Sequence, residues 1–236
     1  MVLSLLDDHY LLNPPKEDNE YVYLNNNIQK WLRVYCHSYV TDLNGLRLCR
    51  PIEYDLGKFF TTPERAGYFS LVCRMINLFL KNKIYYSSFP ENLYPNVMIA
   101  LGKANELSSG LQSIFRGMNG QELNQGSITL AKIICPASQK LTGFEFRDAH
   151  PLSSFNPKKM KVILVEDFVG TGLSIRLAKD YLEGLGAKVI AVVSIFNCLG
   201  KVWPFGVPIN LTVKNLSFTK HPAGTCLSCQ YARDNP

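Results

Sequence analysis

Two neighbouring carboxylates, Glu166 and Asp167, follow the apolar run Val162-Ile163-Leu164-Val165, and the chain then enters Gly170-Thr171-Gly172-Leu173-Ser174. Adjacent acids repel each other and are costly to bury unless hydroxyl groups or a divalent cation meet their lone pairs. The Gly-Thr-Gly turn leads into a helical pattern. Backbone N–H groups there, with the Thr171 and Ser174 hydroxyls, make a cradle for an anion such as phosphate. A diol- or metal-binding pair beside a phosphate cradle suits a sugar phosphate with the shape of ribose 5-phosphate. Two other readings compete. A dinucleotide loop needs a third glycine and an acid about 20 residues after the turn, and neither is present. A plain structural turn with a solvated Glu-Asp strand end needs no ligand at all.

The elements around these residues are those that would hold them at a sheet edge. Val162–Val165 has the continuous apolar character of a strand buried on both faces. Residues Leu173–Leu185 form an amphipathic helical pattern with Gly184 and Gly186 near its end, and "AKVIAVVSIFN" is the next buried strand. This is a strand–helix–strand unit with a right-handed crossover. Acids at the carboxyl end of such a strand stand where ligands bind in open α/β sheets. Upstream, "TTPERAGYFSLVCRMINLFLKNK" predicts a helix, with Thr62 as N-cap, Pro63 at its first position and Glu64 in its first turn. Its apolar face is Phe69, Val72, Cys73, Ile76, Phe79 and Leu80. Val97–Leu101 reads as a strand ended by Gly102, residues 106–115 as a helix, and "SITLAKIIC" as a strand. Residues 136–160 show no periodicity and read as a long functional loop. The stretch "NNNIQKWLRVYCHSYV" fits a short helix or a strand. Trp31, Tyr35 and Tyr39 recur at a helical spacing of four, and a small packed helix is favoured over a ligand-stacking role. The expected fold is an open, mainly parallel α/β sheet with helices on both faces. Its expected organisation is an N-terminal extension over 1–56, a core over 57–200 and a tail over 201–236.

Bulk properties narrow the field. The net charge of +6 is spread along the chain, which suits an enzyme of polyphosphates as well as a nucleic-acid binder. Seven scattered cysteines, an odd number, do not form a secreted disulfide framework. "MVLSLLDDHY" lacks a basic n-region, and no apolar run approaches the roughly 20 residues needed to cross a bilayer. A cytoplasmic protein with reduced thiols is expected.

The run Val162–Ser174 resembles the phosphoribosyl pyrophosphate (PRPP) binding motif of the type I phosphoribosyltransferases, nearest to the orotate phosphoribosyltransferase-like members. The resemblance implies a Rossmann-like core in which Glu166 and Asp167 bind the ribose hydroxyls. Residues Val169, Gly170, Thr171, Gly172 and Ser174 would hold the 5′-phosphate, with Mg²⁺ near Glu166 and Asp167 bridging ribose and pyrophosphate. It places a pyrophosphate loop at Gly102, Lys103 and Ala104. It also places a catalytic loop over residues 140–160, where Lys140, Arg147, His150, Lys158 and Lys159 are the cations. Of these, Arg147 and His150 join Asp167 as the catalytic candidates. Residues 1–56 would form a hood over the base, and the protein would be a homodimer acting on PRPP and a nucleobase. Phe168 replaces a smaller aliphatic residue, and Gly170 stands where purine-using members often carry an aspartate. Orotate or another pyrimidine is therefore favoured over a purine. His221, Cys226 and Cys229, with Cys198 as a fourth, are candidate ligands for a structural Zn²⁺. The rival reading is a catalytically silent nucleotide-binding module, acting as a regulator or as a partner in a nucleoprotein or defence complex that contacts nucleic acid.

Overall fold

The computed structural model describes residues 32–54, 63–86, 90, 94–102, 104–114, 128–137, 140–147, 156–199, 205–215 and 221–225. Trp31, Thr62, Lys103, His150, Cys226 and Cys229 lie outside them. Among the described residues no helix is long and apolar enough to cross a membrane.

The core sheet has six strands: β3 (Val97–Leu101), β4 (Ile128–Cys135), β5 (Lys140–Phe146), β6 (Lys161–Val169), β7 (Lys188–Asn197) and β8 (Ile209–Asn215). Their order is β5-β4-β3-β6-β7-β8, and every neighbouring pair is parallel except β4 with β5. Helices α1 (Pro63–Lys81) and α2 (Asn105–Ile114) pack on one face, and α3 (Leu173–Gly184) packs on the other. The strand residues divide by alternation. Met98, Ala100, Ile163 and Val165 face the α1–α2 layer, while Val97, Ile99, Leu101, Val162 and Leu164 face the α3 layer. The crossovers β3–α2–β4 and β6–α3–β7 travel in opposite directions across the sheet. Right-handed crossovers then require their helices on opposite faces, as observed. The order therefore reverses between β3 and β6.

The apolar face of α1 is buried as its periodicity predicts, with Val72, Cys73, Ile76 and Leu80 at 2 % exposure or less. The two helices of that layer approach closely at Gly110. A Cβ there would meet Cys73 Sγ and Phe69 Cε1, each at 2.8 Å. Burial pushes the Cys73 thiol up to about 12. An unfolded thiol titrates near about 8.5, so the unfolded chain binds fewer protons between those values. The stability contributed by the neutral thiol is complete below that window and is lost as pH rises through it, by up to about 1.4 kcal/mol per unit. Urea midpoints between pH 8 and pH 11 are expected to fall more steeply for the wild type than for Cys73→Ala, even though the variant is less stable at pH 8. Equal slopes would contradict this.

Two expectations need correction, and one left open is decided. The segment open between a short helix and a strand is β1 (Leu32–Thr41), antiparallel to β2 (Arg47–Tyr54). A spacing of four is a multiple of two as well as close to a helical turn, so it fits either period. The stretch 136–160 is not a loop throughout, because Lys140–Phe146 is an edge strand bonded to β4. The motif strand does not stop at Val165 but runs to Val169, with Glu166 opposite Ser194 and Val169 opposite Asn197 on β7.

The β1–β2 hairpin is tied to the rest of the chain at two points. Arg176 on α3 donates from Nη2 to the Leu43 carbonyl at 2.9 Å. Residues 221–223 add to the outer side of β2, with Cys49 N–H donating to His221 O and Ala223 N–H to Arg47 O.

Candidate functional site

Where strand order reverses, the carboxyl ends of the flanking strands open a crevice. Here β3 ends early. Ala100 is level with both Thr129 on β4 and Val165 on β6, and β3 stops one residue later while its neighbours run on. The result is a notch one strand wide, flanked by β4 and β6 roughly 10 Å apart. Glu166 and Asp167 stand on its β6 side.

The two acids differ. Glu166 is 5 % exposed, and its Oε1 accepts from Lys132 Nζ of β4 at 3.1 Å. Asp167 is partly exposed, and its Oδ1 accepts from the Phe168 N–H at 3.0 Å. The stem of Lys132 crosses the notch over Gly102, where a Cβ would lie 3.1 Å from Lys132 Cε. Gly102 itself is left-handed at φ +57°, a conformation glycine adopts without steric cost. The proximity of repelling acids is thus met on one side by a lysine that sequence reasoning passed over. Its only signal was a charge interrupting the apolar run "SITLAKIIC".

The turn after β6 is shaped by Gly172, the N-cap of α3, at φ +78°. No side-chain hydrogen bond caps this helix, so its first-turn N–H groups point toward whatever occupies the turn. Gly172 is buried under Phe205 and Leu199, and a Cβ there would lie 2.4 Å from Phe205 Cζ and 3.1 Å from Leu199 Cδ1. Those two residues, from the connection after β7, were also missed. Thr171 and Ser174 are partly exposed in the turn. Gly170 has room: a Cβ would meet only the Phe168 ring, at 3.6 Å. Phe168 belongs to the core, 9 % exposed and tilted against Phe196 with ring centroids 6.2 Å apart. Val169 is buried, and its carbonyl accepts from Cys198 N–H.

The segment 102–201, which contains both the notch and the glycine turn, matches the family model of the phosphoribosyl transferase domain. Two solved structures are similar to this chain. The APRTase of Giardia lamblia, in complex with 9-deazaadenine, is 15 % identical with a TM-score of 0.50, covering 77 % of this chain and 94 % of its own. The orotate phosphoribosyltransferase of Francisella tularensis is 13 % identical with a TM-score of 0.45, covering 82 % and 85 %. No curated protein matches the sequence.

Within the segment that matches, Glu166, Asp167, Thr171, Gly172 and Ser174 lie at the carboxyl end of β6 and the turn after it, with Gly102 beside them in the notch. Ala104 is fully buried. The Gly102 N–H donates to Leu130 O and the Ala104 N–H to Leu101 O. Arg147 lies just beyond β5, its N–H donating to Thr129 O, which puts its backbone three strands from β6. Lys140 sits at the start of β5, opposite Cys135. Lys158 and Lys159 are at the other edge of the sheet. They form the turn Pro157–Lys159 before β6, where Lys159 O accepts from Asn96 Nδ2 and a Cβ at Gly186 would lie 3.0 Å from Lys158 Cγ. They cannot close over the notch, which corrects their assignment to a catalytic loop.

For metals, the donor set is divided. Asp167 is an accessible carboxylate suited to Mg²⁺. Glu166 is not suited in the same way, since Lys132 already occupies its Oε1. Among the described residues no group of three His, Cys, Asp or Glu side chains gathers to hold an ion. Nothing described supports the zinc reading. Cys198 is buried at the end of β7, His221 is exposed beside β2, and Cys226 and Cys229 lie outside the described residues.

Proposed function

We propose that the protein transfers the phosphoribosyl group of PRPP to a ring nitrogen of a nucleobase. The nitrogen forms a bond to C1 of the ribose as the bond from C1 to pyrophosphate breaks. The observation that carries this reading is the meeting of Glu166, Asp167 and a glycine-capped helix N-terminus at the sheet's switch point, inside the segment that matches the domain. In it, Asp167 and Glu166 accept hydrogen bonds from the ribose hydroxyls, and the turn 169–174 binds the 5′-phosphate. Held this way, C1 is oriented toward the base, and positioning is the protein's main contribution. Mg²⁺, with Asp167 as its protein ligand, would supply positive charge to the departing pyrophosphate during transfer. Gly102, Lys103 and Ala104 would border that pyrophosphate, and Arg147 and His150 are the further cations for it.

Gly170 offers no carboxylate to a purine nitrogen, so the acceptor is a pyrimidine such as orotate. The hairpin anchored on α3 belongs to the proposed hood of residues 1–56, beside a core of 57–200 and a tail of 201–236. The protein would act in the cytoplasm as a homodimer. The test is pyrophosphate release from PRPP with Mg²⁺ and, in turn, orotate, uracil, adenine and hypoxanthine. Release with a pyrimidine alone is expected, and no release with any base would reject the transferase reading.

One observation favours the second reading, a silent nucleotide-binding module. Both described amides of the pyrophosphate segment, at Gly102 and Ala104, are already bonded within the protein. PRPP or nucleotide binding without turnover, or salt-sensitive binding to RNA or DNA, would support it.

A further inference from the structure

We propose that Asn197 is a positioning residue for the phosphate turn, holding the connection after β7 so that Leu199 closes over Gly172. The inference rests on the phosphoribosyl reading and names what keeps its phosphate cradle in shape.

The turn Gly170-Thr171-Gly172 cannot set its own geometry. Two of its three residues are glycines, whose backbone is the least restricted of any. The helix that follows has no side-chain cap to fix its entry. Amides stabilise an anion best when they are aimed before it arrives, so the direction of this turn must be imposed from outside. Leu199 and Phe205 press on it. A Cβ at Gly172 would lie 3.1 Å from Leu199 Cδ1, with Phe205 closer still.

Leu199 is placed by Asn197. This asparagine ends the apolar run of β7 and is fully buried there. A buried carboxamide is costly unless both of its ends are bonded. Here Oδ1 accepts from the Leu199 N–H at 2.9 Å, and Nδ2 donates to Asn215 Oδ1 of β8 at 2.8 Å. Chemistry fixes the orientation, since a backbone N–H can bond only to the oxygen of the amide. A side-chain oxygen bonded to the N–H two residues on makes an Asx turn, which bends the chain as it leaves the strand. The residue between is bonded as well, with Cys198 N–H donating to Val169 O at 2.8 Å.

Strand register brings these groups together. Val169, Asn197 and Asn215 are level on β6, β7 and β8. The chain leaving β7 is therefore pinned on one side to the strand that carries the turn, and on the other to the edge strand. Pairing of the sheet is done by backbone groups and needs no carboxamide at this place. The side chain acts instead on the irregular segment beyond it, and through Leu199 on the turn.

The test is calorimetric titration of the full-length protein with ribose 5-phosphate and, separately, with pyrophosphate and Mg²⁺, for wild type, Asn197→Leu and Leu199→Ala. Leucine keeps the branched shape of asparagine and removes both hydrogen bonds. Asn197→Leu is expected to bind ribose 5-phosphate at least about tenfold more weakly, the scale of loss that a displacement of about 1 Å brings. Leu199→Ala, a truncation at a partly exposed position, is expected to lose at least about threefold. Pyrophosphate affinity should stay within about twofold in both, because its segment lies across the notch. All titrations are made well below each thermal midpoint. A merely structural asparagine would lower that midpoint and leave both affinities as they were.

Wild-type binding of ribose 5-phosphate matched by Leu199→Ala overturns the inference and leaves the phosphoribosyl reading intact, whether or not Asn197→Leu folds. Unchanged affinity in a folded Asn197→Leu protein overturns it too, as does parallel loss of both ligands. Absence of binding of ribose 5-phosphate and PRPP by wild type rejects the phosphoribosyl reading and the inference with it.

Discussion

The Asp167→Asn protein is expected to bind PRPP about 10- to 100-fold more weakly than wild type in Mg²⁺, the worth of one hydrogen bond to a charged acceptor. Asparagine keeps the shape but presents an NH₂ group where a hydroxyl must donate, and it removes the accessible carboxylate suited to a metal. Stability should move the other way. Asp167 is partly exposed and adjoins Glu166, so neutralising it relieves repulsion without opening a cavity. A thermal midpoint at or above that of wild type, together with weakened binding in calorimetry, is the expected pair of results. Unchanged affinity would mean that the acids do not face the ribose.

Gly172→Ala is expected to damage both fold and site. The left-handed backbone, φ +78°, costs a residue with a Cβ about 1–2 kcal/mol. The new methyl would also fall 2.4 Å from Phe205 Cζ, and overpacking of this kind costs about 1–3 kcal/mol. Urea unfolding should therefore show a loss of about 2–5 kcal/mol, the sum of the two. Binding of inorganic phosphate or PRPP should disappear as the turn is displaced. Adding Phe205→Ala removes the clash but not the strain, so the double variant should be less destabilised than the two single changes predict together. Full additivity would show that the glycine and the ring do not share the space.

How much of this was legible beforehand depended on what kind of signal each element leaves. The buried face of α1 was readable residue by residue because a helix between core and solvent writes its period into the chain. The strands β3, β6 and β7 were readable as apolar runs because both faces of the sheet are covered. β5 escaped because it is an edge strand, half exposed, with Lys140, Thr142 and Glu145 among its residues. Proximity in sequence misled at Lys158 and Lys159. Residues just before a parallel strand lie at the opposite end from those just after it, so Lys158 and Lys159, close to the motif in sequence, stand at the far end of β6 from its turn. Lys132 was beyond local reading for the converse reason. It meets Glu166 only because β3 lies between their strands and stops short, a fact of strand order that no window of sequence contains.

The tie between β2 and residues 221–223 bears on how the chain is made. Cys49 and Pro222, joined by a hydrogen bond from Sγ, are 173 positions apart. At a translation rate of about 5–20 residues per second, roughly 10–35 s separate the synthesis of the hairpin from that of the segment that closes its outer side. For that interval β2 is an open edge on a nascent polypeptide, a template for pairing with other chains. Yield of folded protein should therefore depend on chaperone supply and expression rate more than its equilibrium stability would suggest.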